Sequence, residues 1–232
     1  VDVLDPALGD ADQVGPLLRF HSWIGGDRDG NPHVTTETTR IALQRGRATA
    51  LDRCRQGLDL AARQLSISSS ISQLPDAAHD LLQAVIDLAP APSGDSNRNP
   101  GELFRQAVSA ITRRIAATAE GQGPAYAHVR DYIADLRRVE DALVLIGADR
   151  LAERLIRPLR WQAEIFGFRT VTLDVRQNSS VTTRALASIW GVEAAGYGSP
   201  EWSQRLRREI AQEDLPLPDR ATLPAETTEL LD

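Results

Sequence analysis

The 232-residue sequence predicts a mainly α fold, long helices with two short strands, on three observations. Apolar residues recur three and four apart through most of the chain, as helices with one buried stripe require. Alternation of period two is confined to residues 17–24 and 171–176, each enough for one short strand. Proline, which breaks the hydrogen bonding of a helix interior, falls at the edges of the periodic segments, Pro158 excepted.

The first strand is expected over 17–24, with Leu18, Phe20, Ser22 and Ile24 on one side and Arg19, His21 and Trp23 on the other, ended by Gly25-Gly26. A long helix follows from Thr36 to Leu65. Ile41, Ala48, Leu51, Cys54, Leu58 and Leu65 mark its apolar face, and Arg40, Arg45, Arg47, Arg53 and Arg55 a solvated or ion-paired one. A Ser-rich break at 66–72 precedes a helix near 75–88, with Pro75 suited to its first turn. Residues 89–99, Pro-, Ser- and Asn-rich, read as a flexible surface loop. Asn99 as N-cap, Pro100 and Glu102 start a helix over 100–119. Pro124 opens the next, which ends near Gly147, and Pro158 should kink or split one over 149–165. The second strand, 171–176, sets Val171, Leu173 and Val175 on a buried face and aims Thr172, Asp174 and Arg176 the other way. Helices over 179–190 and 199–212 come next, and a Pro-spaced loop leads into a last helix near the end. With no internal repeat, residues 1–232 read as one helical segment.

Composition narrows the function classes. An apolar fraction of 42% is enough for a real core, and a net charge of −6 argues against a nucleic-acid partner, which needs a basic surface. All 26 basic residues are arginine, which excludes a Schiff-base or P-loop lysine within these residues. No run is apolar enough to span a membrane, no signal-peptide pattern opens the chain, and the one cysteine can form no internal disulfide, so a cytoplasmic location is expected. A start at Val1, with no methionine anywhere, reads as an internal piece of a longer polypeptide.

Two constellations could carry chemistry. Gly25-Gly26-Asp27-Arg28-Asp29-Gly30-Asn31-Pro32 concentrates turn residues and opposite charges as no ordinary helix or strand needs. A calcium loop would require glycine and glutamate where Pro32 and Thr38 stand. Asp174-Val175-Arg176-Gln177 ends a strand, a place from which a permanently charged guanidinium can grip a phosphate or carboxylate through two bonds. Two readings of Arg176 stay open: that grip, or a structural ion pair with Asp174 or Asp27. His21, His33, His79 and His128 show no metal-ligand spacing, and Trp161, Trp190 and Trp202 read as core or interface anchors.

Trp23-Ile24-Gly25-Gly26-Asp27-Arg28-Asp29-Gly30-Asn31-Pro32-His33-Val34-Thr35 closely resembles a signature segment of the phosphoenolpyruvate carboxylases, and Phe166-Gly167-Phe168 with Leu173-Asp174-Val175-Arg176-Gln177 resembles a second. Pro100-Gly101-Glu102-Leu103-Phe104-Arg105 between them is similar as well, and the likeness runs from Leu17 to the end. The resemblance implies part of a helix-rich (β/α)8-type barrel enzyme, to which this chain would give two of eight strands. It further implies a cytoplasmic homotetramer that uses Mg or Mn, with metal ligands outside this segment, and converts phosphoenolpyruvate and bicarbonate to oxaloacetate and phosphate, an anaplerotic fixation of carbon.

On that resemblance Arg176 is a catalytic, phosphate-binding arginine and Trp23 borders the substrate pocket. Gly25, Gly26, Asp27, Arg28, Asp29 and Asn31 shape the adjoining loop or a subunit contact. The sequence departs from the family pattern where glutamate usually follows Arg-Gln and histidine stands four residues beyond, positions held here by Asn178 and Thr182. The family's catalytic histidine would lie upstream of Val1 and its glycine-rich loop and metal carboxylates beyond Asp232, so this piece should be inactive alone. Two alternatives are a carboxylase-derived module, catalytically degenerate, that serves assembly or regulation, and a stand-alone anion-binding bundle.

Overall fold

The computed structural model describes residues 18–67, 74–89, 101–212 and 218–231. The elements run β1 (His21–Ser22), α1 (Thr36–Gln64), α2 (Asp76–Asp87), α3 (Leu103–Glu120), α4 (Val129–Leu145), α5 (Asp149–Leu151), a π-helical turn (Ala152–Ile156) and α6 (Arg157–Phe166). Then come β2 (Thr172–Leu173), α7 (Ser179–Trp190), α8 (Pro200–Ile210) and α9 (Ala225–Leu231). The mainly α expectation is met. The chain divides into two compact units, one built from Gln44–Thr172 with the described residues up to His21, the other from Ser22–Leu43 with the described residues from Leu173 onward.

The first unit is a helical bundle whose core follows from spacing. Phe104, Val108, Ile111 and Ile115 on α3 and Tyr132, Leu136, Val139 and Leu143 on α4 share one interval pattern, four, three and four, and all are buried. Leu51, Cys54 and Leu58 of α1 and Ala78, Leu82 and Val85 of α2 complete it. Burial pushes the Cys54 thiol above its ordinary pKa, as expected of a core cysteine.

Two carboxylates of α4 lie inside this unit, and each is matched by arginine. Asp135 accepts bonds from the Arg114 and Arg138 guanidinium groups and from the Tyr126 hydroxyl at 2.9 Å. Arg114 also lies 3.9 Å from the Tyr126 ring centre. Burial, and then the Asp135 charge, hold the Tyr126 hydroxyl well above the usual tyrosine value. Glu140 accepts from Arg157 Nε and from Arg160 Nε, each at 2.7 Å, and Arg160 is itself only 3% exposed. Charges this deep persist only when paired.

The second unit has a smaller aromatic core. Trp190 and Trp202 pack edge to face at 4.7 Å between ring centres, with Tyr197 against Trp202 at 5.8 Å. The Trp190 indole donates to Glu209 at 2.6 Å, which satisfies the one polar atom that burial would otherwise strand. Arg184 of α7 pairs with Glu226 of α9 at the surface. Trp161, expected beside these as an anchor, is only half-buried.

Several boundaries differ from expectation for physical reasons. The strand expected over 17–24 shrinks to His21–Ser22, because the Trp23 carbonyl accepts the Gly26 and Asp27 amides and curls the chain into a turn. The second strand is not buried: Val175 is 62% exposed, since the sheet has two strands and no further strand pairs with it among the described residues. Ile41 and Ala48 do not join the core, so the apolar face of α1 begins at Ala50. Helix α3 starts at Leu103 because Gly101 has a left-handed φ of +82°, which no helical turn contains; Asn99 and Pro100 lie outside the described residues, as does the loop at 89–99 beyond Ala89. Helix α4 starts at Val129, not Pro124, because His128 and Asp131 form a reciprocal capping box. Pro158 has the expected effect: the segment divides at the π turn that ends just before it. Helix α8 stops at Ile210, two residues short of the expected end.

The buried pairing predicts that Glu140→Ala, which removes the carboxylate that Arg157 and Arg160 share and leaves Arg160 with Glu164, lowers stability by about 3 kcal/mol. Equilibrium urea denaturation reads this, and a loss below about 1 kcal/mol would mean that water reaches the pair.

Candidate functional site

The two sequence constellations meet in the second unit through backbone hydrogen bonds. Asp174 donates its amide to the Ser22 carbonyl at 2.9 Å, Arg176 donates to Gly26 at 2.9 Å, and Arg28 donates to Arg176 at 2.9 Å. Donors and acceptors advance in the same direction along both segments, and Asp27 and Arg176 form a parallel bridge. Gly26 makes this crossing possible. It is buried, and a Cβ built on it would fall far inside contact distance of the Asp174 carbonyl oxygen.

The loop on the other side of the bridge is fixed by its own polar groups. Gly25 sits at φ +86°, and its carbonyl accepts the Thr39 hydroxyl at 2.7 Å. Asp27 Oδ1 accepts the Asp29 amide at 3.2 Å. The Arg28 guanidinium donates to Thr36 Oγ1 at 3.2 Å and to the Glu229 carbonyl at 3.4 Å, so it ties the loop to α1 and α9. Asn31 Oδ1 accepts the His33 amide at 3.1 Å and closes an exposed turn that leads into α1.

Arg176 itself is exposed, and no described residue pairs with its guanidinium. Neither Asp27 nor Asp174 forms the ion pair that was the alternative reading. Its guanidinium carbon stands 5.1 Å from the centre of the Trp23 ring, which is 58% exposed. Cation and ring together are worth about 0.5–1 kcal/mol at such an exposed position. That is enough to bias the side-chain rotamer while leaving its hydrogen-bond donors free. The chemistry on offer is a bidentate grip on a tetrahedral or planar anion beside an aromatic wall.

The structure therefore brings Trp23, Gly26, Asp27, Arg28 and Arg176 together and places Gly25, Asp29 and Asn31 in the supporting loop. Among the described residues no group of three or more His, Cys, Asp or Glu could hold a metal ion. All four histidines are exposed. Sequence reasoning missed Thr36, Thr39, Glu229 and the part played by Asn178. The last had a signal in the sequence: an asparagine immediately before a helix is a preferred N-cap. Asn178 Oδ1 accepts the Ser180 amide at 2.9 Å, and its Nδ2 donates to Asp29 Oδ1 at 3.1 Å. Thr182, at the second departure, returns its hydroxyl to the Ser179 carbonyl.

The family model described as phosphoenolpyruvate carboxylase matches residues 6–232. A phosphoenolpyruvate carboxylase of Methylorubrum extorquens is 39% identical over 219 residues, covering 88% of this chain and 23% of that protein. The enzyme of that name from Ralstonia nicotianae is 34% identical over 242 residues, 96% of this chain and 23% of its own, and that from Roseiflexus castenholzii 32% identical over 249 residues, 94% and 26%. The chain thus spans about a quarter of the length of the curated relatives it matches. A match of this extent makes the chain a member of the phosphoenolpyruvate carboxylase family.

Proposed function

We propose that this chain is part of a phosphoenolpyruvate carboxylase and supplies the arginine that grips the substrate phosphate. The observation that carries the reading is the Arg176 guanidinium, held at a strand end over Trp23 and paired with no carboxylate among the described residues. A charge kept that way serves a ligand rather than the fold. Family membership supplies the substrate class.

In the reaction, a bicarbonate oxygen attacks the phosphorus of phosphoenolpyruvate, and the bond from phosphorus to the enol oxygen breaks. Carboxyphosphate and the pyruvate enolate result. Carboxyphosphate releases phosphate and CO2, and the enolate carbon attacks CO2 to give oxaloacetate. Negative charge accumulates on the phosphoryl oxygens during the first step, and a fixed guanidinium there stabilises it without reorganising. Trp23 limits the rotamers of Arg176 and borders the pocket. The Gly25 to Asn31 loop holds the strand end in register.

The same reading makes the whole protein a cytoplasmic homotetramer with a (β/α)8-type barrel, in which β1 and β2 are two of the strands. The Mg or Mn ion that such an enzyme uses finds no ligand set among the described residues. The departures at Asn178 and Thr182 favour one competing reading, a carboxylase-derived module that has lost catalysis.

Bicarbonate-dependent oxaloacetate formation from phosphoenolpyruvate, with Mg present, decides between them when the full-length protein and this chain are assayed in parallel. Activity confined to the full-length protein is expected; silence in both would overturn the carboxylase reading. Arg176→Ala in the full-length enzyme is expected to lower kcat/KM for phosphoenolpyruvate about 10- to 100-fold, the worth of a charged hydrogen-bonded contact, while the melting temperature stays put. An unchanged kcat/KM would make Arg176 a bystander. Gly26→Ala, which forces a methyl group against the Asp174 carbonyl, is expected to cost about 1–3 kcal/mol of stability and to depress activity with it, read by thermal denaturation beside the rate.

A further inference from the structure

We propose that Asn178 is a positioning residue for Arg176: its side-chain amide ties the Asp29 loop to the start of α7 and thereby fixes the strand end between them. The proposal rests on the phosphate-binding reading of Arg176.

The Arg176 peptide is held on both sides, its N–H by the Gly26 carbonyl and its C=O by the Arg28 amide. Beyond Arg176 the backbone pairing ends, and the chain must turn into α7. Asn178 controls that turn. Its carbonyl accepts the Val181 and Thr182 amides, so it is already the first acceptor of the helix. Its Oδ1 takes the Ser180 amide at 2.9 Å and the Ser180 hydroxyl at 2.7 Å, and its Nδ2 donates to Asp29 Oδ1 at 3.1 Å. Asp29 belongs to the segment whose Arg28 amide holds the Arg176 carbonyl. One side chain therefore closes a loop of contacts: Arg176 to Arg28, Arg28 to Asp29 along the chain, Asp29 to Asn178, and back to Arg176.

The position asks for an acceptor towards the helix amides and a donor towards a carboxylate at once. An amide carries both; an ionised carboxylate carries acceptors only. A carboxylate at 178 could not make the bond to Asp29, so the clamp depends on the asparagine that stands there. Both partners are exposed, and the bond competes with water. Its effect should be one of precision, seen in substrate affinity rather than in folding.

The test is a reversal of donor and acceptor in the full-length protein. Asn178→Asp keeps the helix cap, because aspartate caps as well as asparagine, but sets two carboxylates against each other. It is expected to raise KM for phosphoenolpyruvate about fivefold, with kcat within about twofold and the melting temperature unchanged or higher. Asp29→Asn alone leaves an acceptor for the Asn178 amide and should be nearly silent. Combined, the two substitutions restore a donor at 29 and an acceptor at 178, and KM should return towards that of the wild type. A double variant no better than Asn178→Asp would overturn the clamp. Should the wild type form no oxaloacetate, the functional reading fails by itself, and hydrogen exchange at residues 27–31 judges the clamp: faster exchange in Asn178→Asp that the second substitution reverses supports it, and equal exchange in all four proteins overturns it.

Discussion

The approach of the Gly26 backbone to the Asp174 carbonyl is the constraint on which the site depends. Segments 150 residues apart in sequence can exchange hydrogen bonds at Gly26, Arg28 and Arg176 only if no side chain stands between them. Once that crossing exists, the exit direction of Arg176 is set by a backbone bridge. A bridge of two backbone bonds moves little compared with a long side chain on a free loop. Trp23, three residues before Gly26 on the same turn, is then delivered to the face of the guanidinium. No carboxylate among the described residues holds the arginine, which keeps its charge available.

The surrounding loop repeats this economy of charge. Asp27 and Asp29, which as neighbours of Arg176 could have neutralised it, are occupied by the Asp29 amide and the Asn178 amide. Arg28, the other cation of the motif, donates to a hydroxyl and a carbonyl instead of a carboxylate. Opposite charges that look self-compensating in the sequence are therefore kept apart by neutral partners.

The helical bundle of the first unit uses charge the other way. Asp135 and Glu140 are buried with arginines on them, and their removal from water is offset by several hydrogen bonds to each. Arginine suits this work because its planar fork satisfies two carboxylate oxygens with little loss of side-chain freedom. In a chain whose basic residues are all arginine, one residue type thus serves as buried structural cation at 160 and as exposed candidate ligand at 176.

Helix identity, the apolar positions Leu51, Cys54, Leu58 and Leu65 of the first long helix, the split before Pro158 and the unusual chemistry of residues 25–32 and 174–177 were all legible in the sequence, because they follow from local spacing and from what glycine, proline and charge permit. Helix starts were less so: Gly101 and the box between His128 and Asp131 outweigh the proline signals at 100 and 124, and a positive φ or a reciprocal cap is settled only by neighbours in space. Which group stands beside Arg176 was undecidable from sequence, since Asp27 and Asp174 both stood as candidate partners. Tertiary structure sets the Trp23 ring there, because only the folded backbone fixes which groups a guanidinium can reach.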